Sequence, residues 1–105
     1  MDKFRDPLEL LAQNPVDLSL LSLKSKLMMI VTSLIRENDW TQAEAAKAIG
    51  VSQPRISNLM NGKISKFSID MLIEMLGKLG YLMEITFDPS KKDNPIGMNV
   101  KKTAV

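Results

Sequence analysis

Thr41-Gln42-Ala43-Glu44-Ala45-Ala46-Lys47-Ala48-Ile49-Gly50-Val51-Ser52-Gln53-Pro54-Arg55-Ile56-Ser57-Asn58-Leu59-Met60 contains two helix starts and one helix stop. Thr41 and Glu44 stand at capping-box spacing. The hydroxyl accepts the Glu44 N–H, and the carboxylate accepts the Thr41 N–H. Gly50 is free to take the left-handed conformation that closes a helix. Ser52 is a second N-cap. Pro54 falls in the first turn behind it, where its missing N–H costs little. The second helix runs to about Met60 and stops at Asn61-Gly62.

Counting from Gln42, the fifth residue is Ala46, the ninth Gly50 and the fifteenth Ile56. Ala46 is small enough to let two helices approach. Gly50 permits a sharp turn, and Ile56 points back into the wedge. Ala45, Ile49, Val51 and Leu59 supply further apolar lining. Two capped helices joined by the turn Gly50-Val51-Ser52 form a helix-turn-helix. The outer face of its second helix is polar: Ser52, Gln53, Arg55, Ser57 and Asn58, with Pro54 among them. Gln and Asn pair with adenine edges and Arg with guanine in the major groove. Gln42 and the helix N-terminus suit backbone phosphates, as do Lys63 and Lys66 in the following loop. Any one of these residues alone reads as ordinary surface polarity, and Ser52 alone as a cap.

Outward from this unit, Leu23, Leu27, Ile30, Val31, Leu34 and Ile35 recur at helical spacing, predicting a helix from about Leu20 to Asn38. Met28 and Met29 widen the stripe as core filler. Ser68 caps another helix, with Ile69, Leu72, Ile73, Leu76 and Leu79 as its apolar positions, ending at Gly80. Asp6-Pro7-Leu8-Glu9 reads as a short helix start, with a stop near Asn14-Pro15. From Tyr81 to Phe87 the period changes to two, the pattern of a strand. No second strand is evident, so pairing with the same strand of a second chain is the expected remedy for its open edges, with a frayed tail packed on the surface as the other reading. After Asp88-Pro89 the chain reads as a flexible basic tail. The expected organisation is an extension over 1–19, a DNA-binding domain over 20–80, a dimerisation strand over 81–88 and a tail over 89–105.

The chain has 105 residues, enough for one domain, with a formal net charge of +2. That value sums opposed segments: −1 over 1–39, +3 over 40–68, −3 over 69–90 and +3 over 91–105. There is no His and no Cys. Imidazole bases, thiolate nucleophiles and the usual zinc, haem and iron–sulfur ligand sets are therefore missing. No cofactor or metal is expected. Asp70 and Glu74 lie four apart, but two carboxylates do not define a metal site or an active site. A chain without disulfides suits the cytoplasm. The most apolar run, Leu27 to Val31, falls far short of the roughly 20 residues that span a bilayer.

Residues 23–80 resemble the XRE (Cro-type) helix-turn-helix regulators, and Trp40 through Lys63 carry the likeness. Ile64 through Leu72 is similar to a subgroup found beside RelE- or HigB-like toxins. Asn38 through Asp88 is similar to the HipB-type antitoxins of HipA-type kinase toxins, and HigA antitoxins share the pattern. The resemblance implies an all-α, five-helix, lambda-repressor-like domain with one C-terminal strand paired across a homodimer. It also implies a palindromic double-stranded operator and autorepression of a toxin–antitoxin operon. By family position, Ser52, Gln53, Pro54, Ser57 and Asn58 face bases, while Gln42 and Arg55 fall at phosphate or mixed sites. Tyr81, Met83, Ile85 and Phe87 match the dimerisation strand. Pro54 departs from relatives that carry Gln, Ala or Ser there. Two other readings stand beside this one: a stand-alone phage-type repressor, and an inhibitor that works mainly by protein–protein binding.

Overall fold

A computed structural model of the chain describes residues 13–103. Four α-helices precede a two-stranded antiparallel sheet: α1 (Pro15–Glu37), α2 (Gln42–Ile49), α3 (Gln53–Met60), α4 (Ile69–Lys78), β1 (Tyr81–Phe87) and β2 (Ile96–Lys102). A 3-10 turn at Ile64–Lys66 joins α3 to α4. Among the described residues there are thus four α-helices where the family resemblance implies five. The expected short helix at Asp6–Glu9 lies outside the described residues.

The Asn14-Pro15 pair starts α1, ahead of the expected start near Leu20. The Asn14 side chain accepts the Asp17 N–H at 2.8 Å, and Pro15 occupies the first helical position. Asn caps and Pro-first positions are start signals by the same chemistry that stops a preceding helix. Residues 15–19 therefore belong to α1, not to an extension. The 23 residues of α1 are also long and apolar enough, by length and composition, to cross a membrane, contrary to the expectation from its most apolar run. Leu27, Met28, Val31 and Ile35 are instead buried in the core.

That core is one apolar cluster. α1 supplies the four residues just named, and α2 gives Ala45, Ala46 and Ile49. α3 gives Ile56 and Leu59, and α4 gives Leu72, Met75 and Leu76, with Phe67 from the connecting loop. Burying each large aliphatic side chain is worth roughly 1.5–3 kcal/mol. No polar or charged residue is buried among the described residues. The helices therefore meet through apolar packing, and their polar faces remain free to contact a partner.

The strand at Tyr81–Phe87 is present, but it is not alone. β2 pairs with it from Tyr81↔Lys102 to Phe87↔Ile96. The expectation of a flexible tail over 89–105 is corrected by this pairing. The polar run after Asp88 is a hairpin connection. The Asp88 N–H donates to the Pro95 carbonyl, and the Asp88 carboxylate accepts both the N–H and the hydroxyl of Ser90. Thr103 returns to the helical body, donating its N–H to the Gly80 carbonyl at 2.7 Å. Gly97 faces Thr86, where a Cβ would sit 2.6 Å from the threonine hydroxyl oxygen. A side chain there would have to displace Thr86.

Candidate nucleic-acid interface

The geometry of α2 and α3 follows from their caps. The Thr41 N–H donates to Glu44 Oε1 at 2.9 Å, and the Glu44 N–H donates to Thr41 Oγ1 at 3.1 Å. Gly50 ends α2 with φ of 78°, its N–H donating to the Ala46 carbonyl. The Ser52 hydroxyl accepts the Arg55 N–H at 3.2 Å, opening α3 three residues after α2 closes. Ala46 is 8% exposed, and Ile56 is fully buried. Both belong to the one apolar cluster that α2 and α3 share, as the spacing predicts.

Packing of Ile56 and Leu59 turns the opposite side of α3 outward. Ser52, Gln53, Pro54 and Arg55 are exposed, and Ser57 and Asn58 are half-buried. Gln53 with Ser57, and Pro54 with Asn58, are four apart and share one side of the helix. Asn61 extends this stripe by one more turn, its Nδ2 donating to Ser57 Oγ at 3.4 Å. Sequence reading treated Asn61 only as a helix stop. Its spacing of four from Ser57 was the available signal. Gln42 is exposed at the first position of α2, and Lys63 and Lys66 are exposed in the connection beyond α3. Arg55 sits toward one margin, in a depression it shares with Glu74 and Lys78 of α4.

The capping box fixes more than the helix start. Hydrogen bonds from the Thr41 backbone N–H, first, and from its hydroxyl hold the Glu44 carboxyl below its ordinary value of 4.5. Asp70 and Asp88 are lowered in the same direction, chiefly by the hydroxyls of Ser68 and Ser90. A lowered folded-state pKa means that the unfolded chain binds more protons at acid pH. This contribution to stability is complete above the ordinary carboxylate range and is lost as pH falls through the lowered values. Glu44→Gln keeps a side chain able to close the box but removes its charge. Urea midpoints measured from pH 6 down to pH 3 are expected to fall less steeply for Glu44→Gln than for the parent. Parallel curves would contradict the assignment.

A second concavity, of about 400 Å3, lies between α1 and the end of α3. Met28, Met29, Met60 and Ile64 line it, with Arg36 the one charged residue in its wall. It presents no carboxylate to act as acid or base. Among the described residues, no cluster of three or more His, Cys, Asp or Glu is placed to hold a metal.

Comparison with known proteins agrees with this geometry. No curated protein matches the chain. A solved structure of an XRE family transcriptional regulator superposes with a TM-score of 0.64 at 26% identity, covering 82% of this chain and 92% of that one. A family model described as a helix-turn-helix domain matches residues 14–88, which run from the cap of α1 to just past β1. The chain belongs to the helix-turn-helix domain family.

Proposed function

We propose that this protein is a sequence-specific DNA-binding transcriptional regulator that acts on a palindromic operator as a homodimer. The observation that carries the reading is the outward polar stripe of α3, Gln53 to Asn61, on a helix anchored by the buried Ile56 and Leu59. Amide and hydroxyl side chains at that spacing match the donor and acceptor pattern of base edges. Gln42, Arg55, Lys63 and Lys66 flank the stripe and suit phosphate oxygens. The structural likeness to an XRE family transcriptional regulator supports the same reading. Such a protein works in the cytoplasm, beside the DNA it reads.

Within this reading, the protein is the antitoxin and autorepressor of a toxin–antitoxin operon. The support is the resemblance of Ile64–Leu72 and of Tyr81–Phe87 to antitoxin sequences. A neighbouring reading frame encoding a small basic RNase-like protein or a kinase toxin fits this role. A phage integration gene there would instead fit a stand-alone repressor.

Gln53→Ala tests the base-reading assignment. Anisotropy titrations on the operator and on random duplex are expected to show discrimination falling by about 1–3 kcal/mol, with random-duplex binding unchanged. Equal losses on both duplexes would make Gln53 a phosphate contact.

A further inference from the structure

The β1–β2 hairpin has two unlike faces. Residues paired directly across an antiparallel ladder lie on the same face. One face therefore carries Tyr81 with Lys102, Met83 with Val100, Ile85 with Met98, and Phe87 with Ile96. The other carries Leu82 with Lys101, Glu84 with Asn99 and Thr86 with Gly97, and Glu84 forms an ion pair with Lys101 at 3.6 Å. The apolar face starts on the helical core, where Tyr81 packs, and then runs past it. Ile85 is 67% exposed, Phe87 69%, Ile96 59% and Met98 53%. A water-facing sheet normally alternates the other way, with its apolar side on the core.

We propose that this face, not the edge of β1, is where a second copy of the chain binds, sheet face against sheet face. The area supports this occupant. At these exposures the face presents about 600 Å2, which two copies double to about 1,200 Å2, the lower bound for specific interfaces. A single contiguous apolar patch of that size is at the limit of what monomers leave uncovered. Symmetry supports it too. A two-fold contact needs a patch that complements itself. Here the three outer cross-strand pairs are uncharged, with Ile85–Met98 in the middle, and Lys102 lies at the far end beside Tyr81, so no like charges meet at the axis. The choice of a second copy rests also on the DNA-binding reading, since a palindromic operator requires two related helix-turn-helix units.

Face packing and edge pairing place different residues near the two-fold axis. If two β1 strands paired edge to edge about their centre, Glu84 would face its own copy. Each β2 would then lie three strand spacings from the other, about 14 Å, leaving Met98 uncovered while the two copies of residue 84 came within disulfide reach. The chain has no native Cys, so single cysteines report cleanly. Facing sheets lie about 10 Å apart, so cysteines between them are covered and not bridged. Met98→Cys and Glu84→Cys would be oxidised mildly and, separately, labelled with a maleimide in the absence of DNA, alongside sedimentation of the parent and of Phe87→Ser. The expected result is a dimeric parent, slow labelling of Met98→Cys, fast labelling of Glu84→Cys with little covalent dimer, and dissociation by Phe87→Ser with its circular dichroism preserved. A monomeric parent, labelling of Met98→Cys as fast as that of Glu84→Cys, or efficient covalent dimer from Glu84→Cys would overturn the proposal. Titration of the same proteins with duplex at low salt separates the two readings. DNA binding by a monomeric parent would refute the interface alone, and absence of DNA binding by a dimer would refute the regulator reading alone.

Discussion

Operator affinity is expected to fall by about a thousandfold when salt is raised from 50 to 200 mM. Arg55, Lys63 and Lys66 are the cations flanking the α3 stripe, and all three are exposed. A dimer brings twice that number to the duplex. Each phosphate neutralised releases condensed counterion, so the logarithm of affinity falls with the logarithm of salt at about 0.9 per contact. Six contacts give a slope near −5 by that rule. Lys63→Ala removes one contact from each subunit, and its slope is expected to be shallower by about 2. Its ranking of operator variants should not change, because phosphates carry no sequence information. Anisotropy titrations over four salt concentrations measure the slope directly. A flat dependence would remove the electrostatic part of the model. A parent slope retained in Lys63→Ala would free Lys63 from any phosphate role.

The central unit was legible in the sequence because its signals are local. Thr41 with Glu44, Gly50, and Ser52 with Pro54 each determine backbone geometry within four residues, and the structure realises all three. The buried positions of α2 and α3 also followed from spacing, since a helix repeats its inward side every three to four residues. The start of α1 was expected near Leu20 and not at Pro15, because Asn14-Pro15 reads equally well as a stop. The same two residues end one helix and begin another, and their local chemistry does not say which.

β2 was missed because its evidence is distant. Ile96, Met98 and Val100 do alternate with Gly97, Asn99 and Lys101. Gly and Asn are poor strand formers, however, and the preceding Ser-Lys-Lys-Asp-Asn-Pro run reads as a tail. What makes the segment a strand is Tyr81–Phe87, whose open edge it fills. Strand propensity is largely a statement about neighbours, and those neighbours are supplied by the fold. The charge pattern gains meaning by the same step. Lys101 of the basic C-terminal segment lies beside Glu84 of the acidic segment before it, joined by the hairpin. The basic residues at Lys63 and Lys66 stay on the outside, next to the polar stripe of α3.

Ile56→Ala is expected to cost about 2–5 kcal/mol of folding stability and to abolish specific DNA binding before the rest of the fold is lost. Ile56 is 0% exposed and sits where α3 leans on α2. Truncation removes the transfer free energy of three carbons and leaves a cavity that surrounding helices fill only in part. The cluster that holds Ile56 is already closely packed, and two of its members, Ala45 and Ala46, are too small to fill the space. α3 has only eight residues and gains little from helix propensity by itself. Its orientation therefore depends on this side chain and Leu59 together. Loosening that anchor displaces Gln53 and Ser57 on the opposite side, and base contacts tolerate little displacement. Urea unfolding gives the stability change. Operator and random-duplex titrations, at a temperature where the variant is still folded, give the functional one. Ile56→Val should keep most of both, since it removes one methylene, typically at 0.5–1.5 kcal/mol. If Ile56→Ala retained operator discrimination while losing stability, α3 would be positioned by its caps and not by its core contact.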